Sequence, residues 1–134
     1  MILFGQTHCL RSSGMYGTIS AGFMVIFFLL EGCASFLMDW LIEGKVGFLE
    51  TNPSTSPEHT FIAPDGKPAS VSYSSTMDMS IIREVFSEVV FVAEALGRSG
   101  DDLVERVHKA QPGLYPTKIA RDGSIMERIC EEFE

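Results

Sequence analysis

Between Arg11 and Glu31 the chain carries no charge, and Ala21–Leu30 (Ala-Gly-Phe-Met-Val-Ile-Phe-Phe-Leu-Leu) is almost wholly apolar. Few structures accommodate such a run, and three readings compete for it. A signal peptide would use Arg11 as its positive flank and Phe23–Leu30 as its apolar core, with Gly32 and Ala34 at a cleavage site. A transmembrane span needs about 20 apolar residues, and the run reaches that length only by counting the polar, glycine-bearing stretch Ser12–Ser20. The third reading is a buried helix, because Ile26, Leu29, Leu30, Cys33, Leu37, Trp40 and Leu41 recur at i, i+3 and i+4 spacing. That stripe runs unbroken through the supposed cleavage site. It favours a core helix over Phe23–Ile42, ended by Gly44, with a signal peptide second.

After the connector Lys45–Leu49 comes a stretch of different character: Leu-Glu-Thr-Asn-Pro-Ser-Thr-Ser-Pro-Glu (Leu49–Glu58), followed by His59. Pro53 and Pro57 fix their own φ near −65° and push Asn52 and Ser56 toward extended geometry. The resulting loop is stiff, and it presents Glu50, Glu58 and His59. Stiffness suits a group that must hold one position. Taken alone, such Ser/Thr/Pro/Asn clusters read first as turns, and a single Glu in one reads first as solvated.

Beyond the loop, Thr60–Ile62 and Ala69–Tyr73 are short extended segments around a Pro64-Asp65-Gly66-Lys67 turn. Ser75-Thr76-Met77-Asp78 is a helix start, with Ser or Thr as N-cap and Asp78 in the favourable first turn. The helix runs to about Leu96, with Gly97 at its end. Ile81, Ile82, Val85, Val89, Ala93 and Leu96 form one apolar face, and Phe86, Val90, Phe91 and Val92 broaden it. That predicts burial on more than one side, with Val85 and Val89 at the centre and Met77 and Met79 as core filler. Asp101 caps a shorter helix, 102–110, closed by Pro112, with His108 solvated on its flank. Leu114–Lys118 is extended, and Asp122-Gly123 is a hairpin turn.

The 134 residues suffice for one small domain. A net charge of −8 argues against nucleic acid and anionic membrane surfaces, both of which select basic patches. A neutral sugar is compatible with it. Cys9, Cys33 and Cys130 are odd in number and in no metal-ligand pattern, so they imply neither a disulfide framework nor a zinc site. Phosphate-loop, zinc-cluster and Ser/His/Asp signatures are absent, and no cofactor is implied.

Several motifs together resemble one family. Leu-Glu-Gly-Cys-Ala-Ser-Phe-Leu-Met-Asp-Trp-Leu-Ile-Glu-Gly (Leu30–Gly44), Asn-Pro-Ser-Thr-Ser-Pro-Glu-His (Asn52–His59), Ala-Pro-Asp-Gly-Lys (Ala63–Lys67), Ser-Ser-Thr-Met-Asp-Met-Ser-Ile-Ile-Arg-Glu-Val-Phe (Ser74–Phe86) and Pro-Thr-Lys-Ile-Ala-Arg-Asp-Gly-Ser-Ile-Met-Glu (Pro116–Glu127) are similar, in order, to the catalytic domain of glycoside hydrolase family 95. The likeness is greatest to the plant α-L-fucosidases of that family. It implies a mainly α fold, a partial (α/α)6 barrel with a short β-hairpin and a long polar loop. It also implies inverting hydrolysis of terminal α-L-fucosyl linkages on a fucosylated glycan. Glu58 of the Ser-Pro-Glu motif matches the family's general acid. His59, Asn52 and Asp78 are further pocket candidates, each readable equally as a cap or turn residue. Family members of this type are often secreted, cell-wall or vacuolar.

The resemblance also implies gaps. The family's water-activating Asp lies far downstream of this loop and its assisting asparagines far upstream, and no segment here matches either. The expected layout is an apolar segment unlike the family (1–29), a partial catalytic domain (30–127) and a divergent acidic tail (128–134), inactive by itself. The alternative is a non-catalytic association or membrane-tethered protein derived from the hydrolase, since helices taken from a barrel leave apolar faces that drive association.

Overall fold

A computed structural model describes residues 12–55, 60–63 and 65–127. Its centre is the second of three helices, α1 (Ser12–Trp40), α2 (Thr76–Ala95) and α3 (Asp102–Ala110). α2 starts where its sequence asks it to: the Ser75 side chain accepts the N–H of Asp78, and Asp78 places a carboxylate in the first turn. It stops at Leu96. Gly97 takes a φ of 69°, and Arg98 then donates its N–H to the Ala93 carbonyl. Met79, Ile82, Phe86, Val89, Val92 and Ala93 are buried against α1 and α3.

The buried row of α2 therefore passes through Phe86 rather than Val85, which is only half-buried, and Ile81 and Phe91 face outward. Met79 does fill the core, but Met77 is exposed. An apolar circumference leaves several faces eligible for burial, and the neighbouring helices select one of them.

In α1 the same ambiguity displaces only part of the expected stripe: Leu30, Leu37, Trp40 and Leu41 lie in or against the core as expected, and Ile26, Leu29 and Cys33 do not. Ile26 is 49% exposed, Leu29 67% exposed, and Cys33 also faces out. Phe27, Ala34 and Leu37 are the buried positions, joined by the partly buried Leu30 and Leu41. The i, i+3, i+4 spacing is preserved and its origin moves. Arg98 sits over the Phe27 ring at 4.5 Å and pairs with Asp101 at 2.6 Å, tying α1 to the α2–α3 connection. Asp101 is the N-cap residue of α3 without a side-chain cap bond, its carboxylate being turned to Arg98 instead. His108 is exposed, as expected. Ala21–Trp40, with mean hydropathy 2.0, is also long and apolar enough to cross a membrane.

Nor does α1 span Phe23–Ile42 with Gly44 as its stop: it already includes Ser12. It ends at Trp40, and Leu41–Glu43 forms strand β1, antiparallel to β2 (Leu49–Thr51) with Ile42 opposite Glu50. Gly44 and Gly47 make the turn between them: Gly44 donates its N–H to Phe48 O at 2.7 Å, and Gly47 adopts a φ of 81°. Two further ladders nest inside one long hairpin. β3 (Ser54–Thr55) pairs with β6 (Val71–Ser72), and β4 (Phe61–Ile62) pairs with β5 (Pro68–Ala69) around the Asp65–Gly66 turn. The extended segment expected over Ala69–Tyr73 is thus split between two ladders. A bridge joins Leu49 to Leu114 in parallel, and Ile119 pairs with Ile125 across the Asp122–Gly123 turn.

Candidate functional site

The N-terminus of α2 gathers three separate segments of the chain. Ser75 is its N-cap and Asp78 its third helical residue, the spacing of a capping box. In the usual box the second side chain reaches back to the cap's own N–H. Here Ser54 of β3 stands in between. Its Oγ accepts the Ser75 N–H at 2.9 Å and donates to Asp78 Oδ2 at 2.5 Å, while Ser75 Oγ accepts the Asp78 N–H at 3.2 Å. One residue earlier, Ser74 Oγ accepts the Thr51 N–H at 3.2 Å, and Ser74 donates its own N–H to the Thr51 carbonyl at 2.9 Å. The third segment arrives from the C-terminal side. Thr76 donates its N–H to Glu127 O at 2.9 Å and its hydroxyl to Met126 O at 2.5 Å. Arg83, two turns further along α2, donates to the Tyr115 carbonyl.

The polar loop is accordingly anchored by its first half. Thr51, Ser54, Ser74 and Ser75 are all buried; the three serine hydroxyls are hydrogen-bonded, as buried polar groups ordinarily are, whereas the Thr51 hydroxyl has no hydrogen-bond partner among the described residues. Glu58 and His59 lie outside the described residues. Their place in the sequence is nonetheless defined by the ladders on either side: five residues, 56–60, separate β3 from β4, and the opposite arm has Ser70 alone between β5 and β6. Asn52 is exposed, and the Asn52–Pro53 peptide bond is cis.

Of the other carboxylates near the loop, Glu50 is nearly buried and rests against Gly44. Asp65 stays in its exposed turn, accepting the Lys67 N–H at 3.1 Å. Asp78 is brought to the loop, as a hydrogen-bond partner of Ser54. Among the described residues no group of three His, Cys, Asp or Glu side chains is placed to hold a metal ion. A separate open cleft of about 270 Å³ lies between α2 and α3, lined by Val90, Glu94, Val104, Glu105, His108 and Lys109.

Sequence reading took Ser54 for one more turn residue. Nothing local distinguishes it from Thr55 or Ser56, because its partners lie 21 and 24 residues away. The available signal was the Ser75-x-x-Asp78 pattern, which left open where the Asp78 carboxylate goes.

Residues 23–133 match the model of the glycosyl hydrolase family 95 catalytic domain. That span starts before Leu30 and ends beyond Glu127. The protein named Alpha-L-fucosidase 2 of Arabidopsis thaliana is 64% identical over 106 residues, which are 79% of this chain and 12% of that protein. The chain thus covers about an eighth of the length of this relative.

Proposed function

Because this chain belongs to glycosyl hydrolase family 95, as part of its catalytic domain, we propose that it carries the general-acid loop of an inverting α-L-fucosidase acting on terminal α-L-fucosyl groups of glycans. The observation that carries the reading is the Asn52–His59 motif, which falls inside a family match spanning residues 23–133. A relative bearing the fucosidase name is 64% identical over 106 residues. In inverting chemistry a carboxylic acid protonates the leaving oxygen while a second group activates water on the opposite face of the sugar. Glu58 takes the acid's role. To hold its proton near neutrality it needs burial or a neighbouring negative charge. Asn52 and His59 remain pocket candidates.

In this reading the helices belong to an (α/α)6 barrel. The outward apolar residues Val25, Phe28, Leu29 and Phe36 of α1 and Phe91 of α2 fit helices that pack against further helices. The family match begins at residue 23, so it includes most of the apolar run. This supports the core-helix reading of α1 over a tether.

The test uses a hybrid enzyme in which residues 23–133 replace the matching segment of the Arabidopsis relative. Glu58→Gln is expected to lower turnover of a fucosylated oligosaccharide by about 10²–10⁴-fold, the usual worth of a general acid. Hydrolysis of 2,4-dinitrophenyl α-L-fucoside, whose phenolate departs without protonation, should suffer far less. Equal losses on the two substrates, or no loss, would remove Glu58 from the acid's role.

A further inference from the structure

The β1–β2 hairpin holds a carboxylate with no cation beside it. Glu50 is only 7% exposed, yet among the described residues it accepts no hydrogen bond and enters no ion pair. Its carboxyl group lies over the backbone of Gly44. A Cβ built on that glycine would fall 2.1 Å from the carboxyl carbon and 2.2 and 2.5 Å from the two oxygens. The basic side chains of the helices are engaged on other groups: Arg83 on the Tyr115 carbonyl, and Arg98, Arg106 and Lys109 on acids of α3 and its cap. Lys45, next to Gly44, is exposed and pairs with no acid among the described residues. Carboxylates buried to this degree are almost always paired.

The same hairpin carries exposed aliphatic surface. Ile42 stands directly across the ladder from Glu50, on the same face, and is 44% exposed, while Val46 in the turn is 72% exposed. A recessed carboxylate beside aliphatic side chains is complementary to an arginine. The methylene stem of an arginine rests on apolar surface, and its planar fork pairs with both carboxyl oxygens. The net charge of −8 favours a cationic partner as well. The chain spans about an eighth of the length of the Arabidopsis relative, so in a protein of that length this hairpin has further chain to meet.

We propose that the notch formed by Gly44, Glu50 and Ile42 is an interaction surface for a basic segment of the remaining family 95 catalytic domain. An arginine of that segment pairs with the Glu50 carboxylate. Gly44 keeps the notch open, since any side chain there would fill it. The proposal rests on membership of the family and not on the role of Glu58. Glu50 is in this account a recognition residue, with no part in the chemistry.

The experiment compares Glu50→Gln in two settings, the 134-residue chain and the hybrid enzyme in which residues 23–133 replace the matching segment of the Arabidopsis relative. Glutamine keeps the shape of the side chain and removes its charge. Amide hydrogen exchange over Leu41–Thr51 is the readout, because it reports on the same hairpin in proteins of different size. In the isolated chain the substitution removes an uncompensated buried charge, and exchange should slow by about threefold. In the hybrid it leaves the arginine unpaired, and exchange should speed up by roughly 10-fold. Opposite signs support the proposal. A change of the same sign in both settings, or no change in the hybrid, overturns it.

Two controls on the isolated chain separate the other occupants. Lys45→Gln should leave exchange over Leu41–Thr51 unchanged; faster exchange, absent in a Glu50→Gln background, would give the carboxylate to Lys45 and overturn the proposal. Exchange at this hairpin should also be independent of protein concentration. Protection that grows with concentration and is lost in Glu50→Gln would give the notch to a second copy of the chain, and that too overturns it.

Discussion

Gly44 and Glu50 share one space: a Cβ added at Gly44 would overlap the carboxyl carbon of Glu50. The two residues lie on either side of the β1–β2 turn, and Glu50 is nearly buried there, opposite Ile42. The absence of a side chain at Gly44 is what admits the Glu50 carboxyl group. Sequence reading had given this glycine the different task of ending a helix. Gly44→Ala is expected to cost about 1–3 kcal/mol, as overpacking does. Most of that cost should vanish in a Glu50→Ala background, because the clash is then gone. A double-mutant cycle on chemical unfolding measures the coupling; additive costs would show that the two residues do not compete.

The phase of α1 is testable at adjacent positions. Phe27 is fully buried under Arg98, whereas Ile26 is half exposed. Phe27→Ala is expected to cost about 3–5 kcal/mol. Ile26→Ala should stay within about 0.5 kcal/mol in the isolated chain. Thermal melts of the pair decide it, and the reverse order would restore the stripe that begins at Ile26.

On α2 the decisive comparison is Val89→Asp with Val85→Asp. Val89 has no exposed surface, so an aspartate there buries an unpaired carboxylate, a cost of several kcal/mol against a total of about 5–15. Val85 is half-buried, and an aspartate there keeps contact with water. Val89→Asp should abolish soluble folding, with Val85→Asp destabilised but folded. Soluble yield and melting temperature are the readouts.

Asp122 should titrate low. The Ser124 backbone N–H at 2.9 Å, and then its hydroxyl at 2.7 Å, donate to Asp122 Oδ1 and hold the carboxyl below the ordinary carboxylate range. Because the folded pKa is depressed, the interaction favours the folded turn above the unfolded carboxylate pKa of about 3.9. That contribution is lost as pH falls through the lower, folded value. An NMR titration of Asp122 should show the low midpoint, and Ser124→Ala should raise it part of the way.

The 134-residue chain alone is expected to turn over neither an aryl α-L-fucoside nor a fucosylated oligosaccharide. Inversion requires a second group facing the acid across the sugar, about 6.5–9.5 Å away. Of the carboxylates nearest in sequence, Glu50 is packed against Gly44 and Asp65 is held in its own turn. Turnover by the purified chain that disappears in Glu58→Gln would reveal a base within these residues.

The sequence by itself was enough for whatever depends on neighbours in the chain. Ser75 and Asp78 announce the start of α2 and Gly97 its end, because caps and positive φ are set within one turn of helix. Asp65-Gly66 and Asp122-Gly123 announce their turns for the same reason, with φ of 79° and 88° at the two glycines. The family likeness was also legible, since it resides in ordered motifs. Tertiary structure alone decided which face of each apolar helix is buried, because a run such as Ala21–Leu30 offers nearly equal apolar faces in every phase. It also decided that α1 gives way at Leu41, where pairing with Thr51 takes over from the helix. And it decided the role of Ser54. A hydroxyl in a polar loop has no local signature for a partner 24 residues away, and only packing of β3 on α2 brings Ser54 and Asp78 within hydrogen-bonding distance.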